Sequence, residues 1–125
     1  MPTTRGSPRK VSRSRATATS DMARLDVYPH PDASLRKKTP YLLDVQNSHM
    51  GRLASRVVIP LRLAEDFALR MRDLNPVFEV GGKAVVLDTA ALAAVPLAEL
   101  KKPITNLGTQ SASVVAALDA LFGAY

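Results

Sequence analysis

Few residues in this chain combine the types and spacings that catalysis or metal binding requires. The sequence holds two histidines, His30 and His49, and no cysteine, so a zinc site or a thiol nucleophile has almost nothing to build on. His30 stands between two prolines and is predicted to be a surface loop residue. Neither histidine belongs to an HExxH motif, and no serine stands in a GxSxG turn. We therefore predict no catalytic residue, no metal site and no cofactor.

Two other polar or flexible positions have simpler structural explanations. Asp44 lies in an apolar run, where a carboxylate is costly unless it is paired, and we expect a nearby arginine to pair with it. Gly81-Gly82 lacks the spaced glycines of a phosphate-binding loop, and the flanking strand patterns predict a tight hairpin instead. Basic residues after position 21 are dispersed and not interleaved with aromatic residues, unlike a nucleic-acid stacking surface. The pattern indicates a binding module rather than an enzyme.

The positive charge of the chain is concentrated at its start. Residues 1–21 contain five basic residues and one acidic residue, and so hold +4 of the total net charge of +6. This segment has one Val and no Leu, Ile or aromatic residue, which predicts a disordered basic extension. Three interpretations remain open: an arm that contacts nucleic acid, a transit-type peptide, or a translated leader before a true start at Met22. We favour the last.

From Met22 onward the pattern is that of short strands in a single domain, residues 22–125. Strands are predicted at "ARLDVY", "YLLDVQ", "RVVIPL", "PVFEV", "KAVVL" and "LAAVPL". In the first of them, Leu25 and Val27 are expected on one face and Arg24 and Asp26 on the other. The stretch Leu61–Leu74 is ambiguous between a helical face and a loop with short strands.

The last segment is predicted to be a helix with defined ends. Its start can be capped by Thr109, Ser111 or Ser113, and Gly123 is expected to end it. One apolar stripe follows from spacings of three and four residues, formed by Val114, Leu118, Leu121 and Phe122. A small, mostly antiparallel β-barrel with one C-terminal helix is the predicted fold class.

Several of these stretches resemble the CcdB family of plasmid-addiction toxins. The resemblance rests on "YLLDVQNSHMGRLASRVVIPL", "NPVFEVGGKAVVLDT", "AAVPL", the terminal "LDALF" and the opening "MARLDVYPH", and it covers essentially residues 22–125. It implies an SH3-like barrel, shared with the MazF toxins, that forms a homodimer. The fit of the opening stretch also favours Met22 as the natural first residue.

Membership of this family would imply a target and a neutralising partner. CcdB toxins bind the A subunit of DNA gyrase and hold the enzyme in its DNA-cleaved state, without catalysing a reaction themselves. A CcdA-type antitoxin neutralises them through a disordered segment that folds onto the toxin, and the two proteins together repress their operon by binding operator DNA. The resemblance thus predicts a toxin of the bacterial cytoplasm with no membrane partner.

The resemblance also assigns site residues, with departures from the family pattern. The gyrase-facing set comprises His49, Met50, Asp119, Phe122, Gly123, Ala124 and Tyr125. His49-Met50 replaces a pair of Ile residues, and Gly123, Ala124 and Tyr125 stand where the family has Trp, Gly and Ile. The ring of Tyr125 could supply a cation–π contact of roughly 0.5–2 kcal/mol with a gyrase arginine. For the antitoxin, the assigned residues are Arg70, Met71 and Leu74.

Two alternatives to gyrase poisoning follow from these departures. A homologue that has lost the Trp can retain antitoxin binding alone. A ribonuclease like the MazF toxins would share the barrel, but we locate no acid/base pair for it in the sequence. Gyrase poisoning is the leading hypothesis.

Overall fold

The computed structural model describes residues 23–47 and 53–123. Within these ranges the chain forms β1 (Asp26–Pro29), β2 (Tyr41–Asp44), β3 (Ser55–Leu63), β4 (Val77–Val80), β5 (Lys83–Leu87), β6 (Ala93–Pro96), β7 (Thr105–Asn106) and one α-helix, α1 (Ser111–Phe122). The prediction of a mainly β protein with a C-terminal helix is confirmed. In this described part of the chain, no helix is both long and apolar enough to cross a bilayer.

The strands form one antiparallel sheet that is organised around β3. The strand order is β4-β5-β3-β2-β1-β7, and β6 is added beside β3. One edge of β3 pairs with β2, while the opposite edge is shared between β6 at Ser55–Val58 and β5 at Leu61–Leu63. Sharing one strand in this way curves the sheet into a nearly closed small barrel, as the family resemblance implies.

Both faces of the central strands are buried, which explains their uninterrupted apolar runs. Side chains alternate between the two faces of a strand. The larger core lies inside the barrel beneath α1 and includes Val27, Leu43, Ile59, Leu61, Phe78, Val85, Leu87, Val114 and Ala117. The smaller cluster lies on the opposite face and consists of Tyr28, Leu42, Val58 and Leu100, with Val95 packed against it.

The Gly81-Gly82 hairpin is confirmed. Val80 pairs with Lys83, so the two glycines form the whole turn, with φ values of +59° and +77°. Both values lie in the left-handed region that glycine tolerates and that two-residue hairpins require. At Gly81 a Cβ would also approach the hydroxyl oxygen of Tyr41 to 2.8 Å, so a side chain there would require both an unfavourable backbone conformation and a shift of the Tyr41 ring.

The start of β1 differs from the predicted alternation. Leu25 and Val27 both enter the main core, as expected, but the strand begins at Asp26, and Leu25 has a φ of +70°. Asp26 is buried rather than exposed. Its carboxylate accepts hydrogen bonds from the backbone N–H of Ala23 and the side-chain amide of Asn106, both at 2.9 Å. These two donors offset the burial of the charge, and alternation alone could not indicate them.

The ambiguous stretch Leu61–Leu74 is not a helix. Its first three residues continue β3 and pair with β5, a 3₁₀ turn follows at Ala64–Asp66, and the chain then runs irregularly to β4. The helical interpretation is therefore wrong, because sheet pairing with β5 outweighs the helix-compatible spacing of the apolar residues.

Candidate functional site

The ends of α1 are fixed by backbone hydrogen bonds rather than by a polar side-chain cap. A 3₁₀ turn at Gly108–Gln110 leads into the helix, and the N–H of Ser111 donates to the carbonyl of Gly108. Gln110 occupies the N-cap position without a side-chain capping bond, so the predicted caps at Thr109, Ser111 or Ser113 are wrong. Gly123 closes the other end with a φ of +67° and donates its N–H to the carbonyl of Asp119. The predicted helix end is confirmed.

Two neighbouring faces of α1 have different surroundings. Val114 and Ala117 are fully buried in the main core. Val115, Asp119 and Phe122 follow each other at spacings of four and three residues, so they share a second face. Phe122 is 69% exposed and Val115 is also exposed. Phe122 was predicted to continue the apolar stripe of Val114, and this is wrong, since its ring faces outward from the barrel.

We call the outward face formed by Val115, Asp119 and Phe122 the helix stripe. Asp119 lies in the last turn of α1, and that turn contains no basic residue. The C-terminal end of a helix carries partial negative charge and favours cations, so an aspartate is poorly placed there for stability. The helix stripe thus combines two exposed apolar side chains with an unfavourably placed carboxylate. Val115 was missed in the sequence, where valine in an alanine-rich helix gives no sign of exposure.

Of the other residues assigned to gyrase, Gly123 ends α1 beside the helix stripe. His49, Met50, Ala124 and Tyr125 lie outside the described residues, and their assignment stays a prediction.

A buried ion pair joins the last residue of β2 to the start of β3. The guanidinium of Arg56 contacts Oδ2 of Asp44 through Nε at 2.9 Å and Nη2 at 2.7 Å, and both side chains are fully buried. Burial raises the pKa of Asp44, while hydrogen bonds from Arg56 and from the N–H of Gln46 act in the opposite direction. The expectation that Asp44 pairs with an arginine is confirmed.

The residues assigned to the antitoxin lie on a separate loop. Asn75 organises it: its Oδ1 accepts from the N–H of Met71 at 3.0 Å, and its own N–H donates to the carbonyl of Met71 at 2.7 Å. Arg70 donates to the carbonyl of Asn75 at 3.0 Å. Leu69 and Met71 are 88% and 63% exposed, while Leu74 is partly buried. We call the segment from Leu69 to Leu74 the arginine–leucine loop.

The 3₁₀ turn Thr89–Ala91 lies between the two candidate surfaces. The α1 helix packs against this turn, and the hydroxyl of Thr89 donates to the carbonyl of Leu74 at 2.5 Å. The structure thus brings Asp119, Phe122 and Gly123 together at the end of one helix. Arg70, Met71 and Leu74 form a second surface, tied to the same turn.

Comparison with protein families identifies this architecture. The model of the family described as CcdB protein matches residues 24–123, which is most of the chain and all of the described barrel and helix. The chain belongs to the CcdB family. CcdB proteins are toxins of toxin–antitoxin systems. A search of curated proteins finds no match.

The stretches that carry the CcdB resemblance meet at the centre of the sheet. "DVQ" begins at the last residue of β2, "VVIPL" lies within β3, and "VP" ends β6. β3 pairs with both of the other strands. These motifs therefore specify the centre of the barrel, which explains why they identify the family without indicating a reaction.

The CcdB barrel also carries a cleft that the sequence did not indicate. It has a volume of about 580 Å³ and lies over the smaller apolar cluster. Its floor includes Leu42, Val58, Pro60 and Val95, and its rim includes His30, Asp32, Glu99 and Lys101.

His30 is held firmly at the rim of this cleft. Its Nδ1 accepts from the N–H of Asp32 at 3.0 Å, and its carbonyl accepts from Nε of Arg36 at 2.5 Å. Partial burial lowers the pKa of His30, Arg36 and Arg62 lower it further, and Asp32 opposes them. His30 is therefore a partly buried residue of a loop at the rim of the cleft, in agreement with the prediction of a surface loop residue.

Proposed function

We propose that this CcdB-family toxin acts by binding the A subunit of DNA gyrase and trapping the cleaved complex of gyrase with DNA. The helix stripe is the observation that carries the proposal. Phe122 is one of six aromatic residues in the chain, yet it is left 69% exposed at the end of a helix whose other face is fully buried. An exposed aromatic ring beside a carboxylate suits recognition by another protein, because buried aromatic anchors supply much of the energy of interfaces.

The chemistry of the helix stripe favours a basic partner surface. Asp119 can pair with a lysine or arginine, and the ring of Phe122 can contact the same cation through its face, which contributes roughly 0.5–2 kcal/mol. We propose that Tyr125 adds a second ring and that His49 and Met50 complete the surface. In a homodimer, two-fold symmetry would present each of these groups twice. Binding without catalysis is sufficient for this activity.

The arginine–leucine loop is the proposed contact for a CcdA-type antitoxin. Two exposed apolar side chains, Leu69 and Met71, alternate with two exposed cations, Arg70 and Arg72. This arrangement suits a segment of the partner with apolar and acidic residues, which can become ordered as it binds. Toxin and antitoxin together would bind operator DNA. We place this cycle in the bacterial cytoplasm, where gyrase and its DNA are present.

The first experiment measures DNA cleavage by gyrase in the presence of the full chain. Gyrase from the same host and supercoiled DNA are incubated with the protein, and linear DNA is quantified after detergent and protease. We expect linear DNA with the wild-type chain, at least tenfold less with Phe122→Ala, and a similar loss after removal of Ala124 and Tyr125. Leu69→Ala is the matched control, since it also removes an exposed apolar side chain, and it should leave cleavage unchanged.

Absence of linear DNA with a folded wild-type chain would contradict gyrase poisoning. Retained binding of the antitoxin in that case would favour the homologue that only binds antitoxin. A parallel incubation with RNA, without gyrase, tests the third hypothesis, because RNA cleavage would indicate a MazF-like ribonuclease instead.

The second experiment measures antitoxin affinity for the same variants. We expect Leu69→Ala and Met71→Ala to weaken antitoxin binding, and Phe122→Ala to leave it within about twofold, because the two surfaces lie on different elements. Loss of both activities in every variant would show that the surfaces are not separate.

A further inference from the structure

Hydrogen bonds from side chains continue the pairing of β2 and β3 beyond the end of the regular ladder. The last regular pair is Asp44 with Val58. One further backbone bond joins the N–H of Val45 to the carbonyl of Val57 at 3.0 Å. The N–H of Val57 then donates to Oε1 of Gln46 at 2.9 Å, so a side-chain amide takes the place of a backbone carbonyl.

The buried ion pair of Asp44 and Arg56 is hydrogen-bonded to this extension through the backbone of Gln46. Oδ1 of Asp44 accepts from the N–H of Gln46 at 3.0 Å, while its Oδ2 accepts from Arg56. Asp44 therefore fixes the backbone at Gln46, and Gln46 in turn holds the backbone at Val57. The connection between the strands leaves the sheet at Gln46 and returns to it at Ser55. Both ends of the connection are thus anchored by one network.

Stability alone gives a weak reason for burying two charges at this position. The desolvation of a buried ion pair often offsets its attraction, and replacement by apolar residues of similar volume is frequently neutral or stabilising. An apolar pair could pack between the same strands, but it could not accept from the N–H of Gln46. The charged pair therefore contributes a hydrogen bond that fixes the backbone at Gln46, and through Gln46 it also fixes the backbone at Val57.

We propose that Asp44, Gln46 and Arg56 are positioning residues, which fix the ends of β2 and β3 on either side of the segment that contains His49 and Met50 and thereby set the affinity for gyrase. This inference rests on the proposed gyrase function. It predicts that the ion pair can be replaced by apolar residues of similar volume with little change in stability but a large change in recognition.

The test replaces the network by apolar residues in the full chain. The double variant Asp44→Leu with Arg56→Met is compared with Arg62→Met with Asp88→Leu, which removes the partly exposed ion pair at the other end of β3. For the first variant we expect a urea midpoint near that of the wild type and a gyrase Kd at least tenfold higher. Hydrogen exchange of the Val57 amide should be at least tenfold faster than in the wild type, although its acceptor, Gln46, is unchanged. The control pair should change the Kd and this exchange rate less than twofold.

A folded double variant with unchanged gyrase affinity and unchanged exchange at Val57 would overturn the proposal. If the double variant does not fold, the gyrase Kd of Gln46→Met tests the proposal, because this change removes the bond to Val57 and keeps the ion pair; an unchanged Kd would overturn it. A wild-type chain that does not bind gyrase would refute the proposed function separately. In that event, the hydrogen-exchange rate of the Val57 amide still tests the positioning role. Slow exchange in the wild type and fast exchange in the variants would support this role, and equal rates would refute it.

Discussion

β3 carries two arginines that each pair with an aspartate, and the two pairs differ mainly in their surroundings. Near the start of the strand, Arg56 and Asp44 are fully buried, with a shortest N–O distance of 2.7 Å. Near its end, Arg62 and Asp88 are 2.6 Å apart, but their side chains are 40% and 17% exposed. Similar geometry on one strand therefore occurs in two different dielectric environments.

This difference shows that the N–O distance of an ion pair does not determine its contribution to the free energy of folding. Exposed pairs contribute roughly 0–1 kcal/mol, because water screens them and ordering two long side chains has an entropic cost. In a buried pair each charge depends on its partner, and the loss of one leaves the other without compensation. We expect the pair at Arg56 to organise the backbone and the pair at Arg62 to have little effect.

The largest expected effect comes from Arg56→Ala. This change leaves the buried carboxylate of Asp44 without its cation, and the free energy of unfolding should fall by about 3–5 kcal/mol. Urea unfolding followed by circular dichroism measures the loss. A loss below about 1 kcal/mol would mean that Asp44 does not depend on Arg56, and the contrast between the two ends of β3 would disappear.

Gln46→Ala is expected to have an intermediate effect at the same end of the strand. It removes the acceptor of the Val57 N–H and leaves that partly buried donor without this bond, which costs at most about 1–3 kcal/mol. The ion pair itself is unchanged. The same unfolding measurement therefore distinguishes the contribution of the Gln46 side chain from that of the ion pair. Stability equal to that of the wild type would indicate that Val57 finds another acceptor.

A smaller effect is expected from Arg62→Ala. The free energy of unfolding should fall by at most about 1 kcal/mol, and the difference from the wild type should shrink further in about 1 M salt, which screens exposed charges. The loss caused by Arg56→Ala should persist in the same salt. A loss at Arg62 equal to that at Arg56 would contradict the role assigned to burial.

The smallest expected effect is a pKa shift at His30, which lies within the electrostatic reach of Arg62. The folded-state pKa of His30 lies below 6.5, so the unfolded chain binds more protons between that value and 6.5. The contribution of His30 to stability is therefore present above pH 6.5 and is lost as the pH falls through this window. Arg62→Ala should raise the pKa, because a nearby positive charge is removed.

NMR titration of the imidazole ring measures this shift. His30→Asn, which retains an acceptor for the N–H of Asp32, should abolish the corresponding change in stability with pH. A His30 pKa above 6.5 in the wild type would contradict the effect of burial, and an unchanged pKa in Arg62→Ala would contradict the coupling.

The sequence predicted the elements that local patterns determine. Gly81-Gly82 indicated a hairpin because few other residues adopt the required φ values, and Gly123 indicated a helix end for the same reason. It also predicted that Asp44 needs a cation, since a charge in an apolar strand is otherwise costly. These features depend on the chemistry of a few adjacent residues.

Features that depend on distant partners could not be predicted in this way. The alternation of polar and apolar residues in β1 predicts that Asp26 is exposed. It is buried instead, and its carboxylate accepts a hydrogen bond from Asn106, which lies far along the chain. The stretch Leu61–Leu74 has helical spacing, but its first residues pair with β5. Phe122 was assigned to the apolar stripe from its spacing, whereas in the structure it lies on the exposed face with Val115. The cleft beside His30 arises from four separate segments, and no local motif marks it.

The aspartate in the last turn of α1 has a practical consequence. An anion at that end of a helix is unfavourable, so Asp119→Lys should raise the thermal unfolding temperature modestly, by an amount equivalent to about 0.3–1 kcal/mol. The same change would reverse the charge of the helix stripe that we propose for gyrase. Under the proposed function, one substitution would therefore stabilise the helix and weaken the binding of gyrase, and so yield a more stable and less toxic form of the protein.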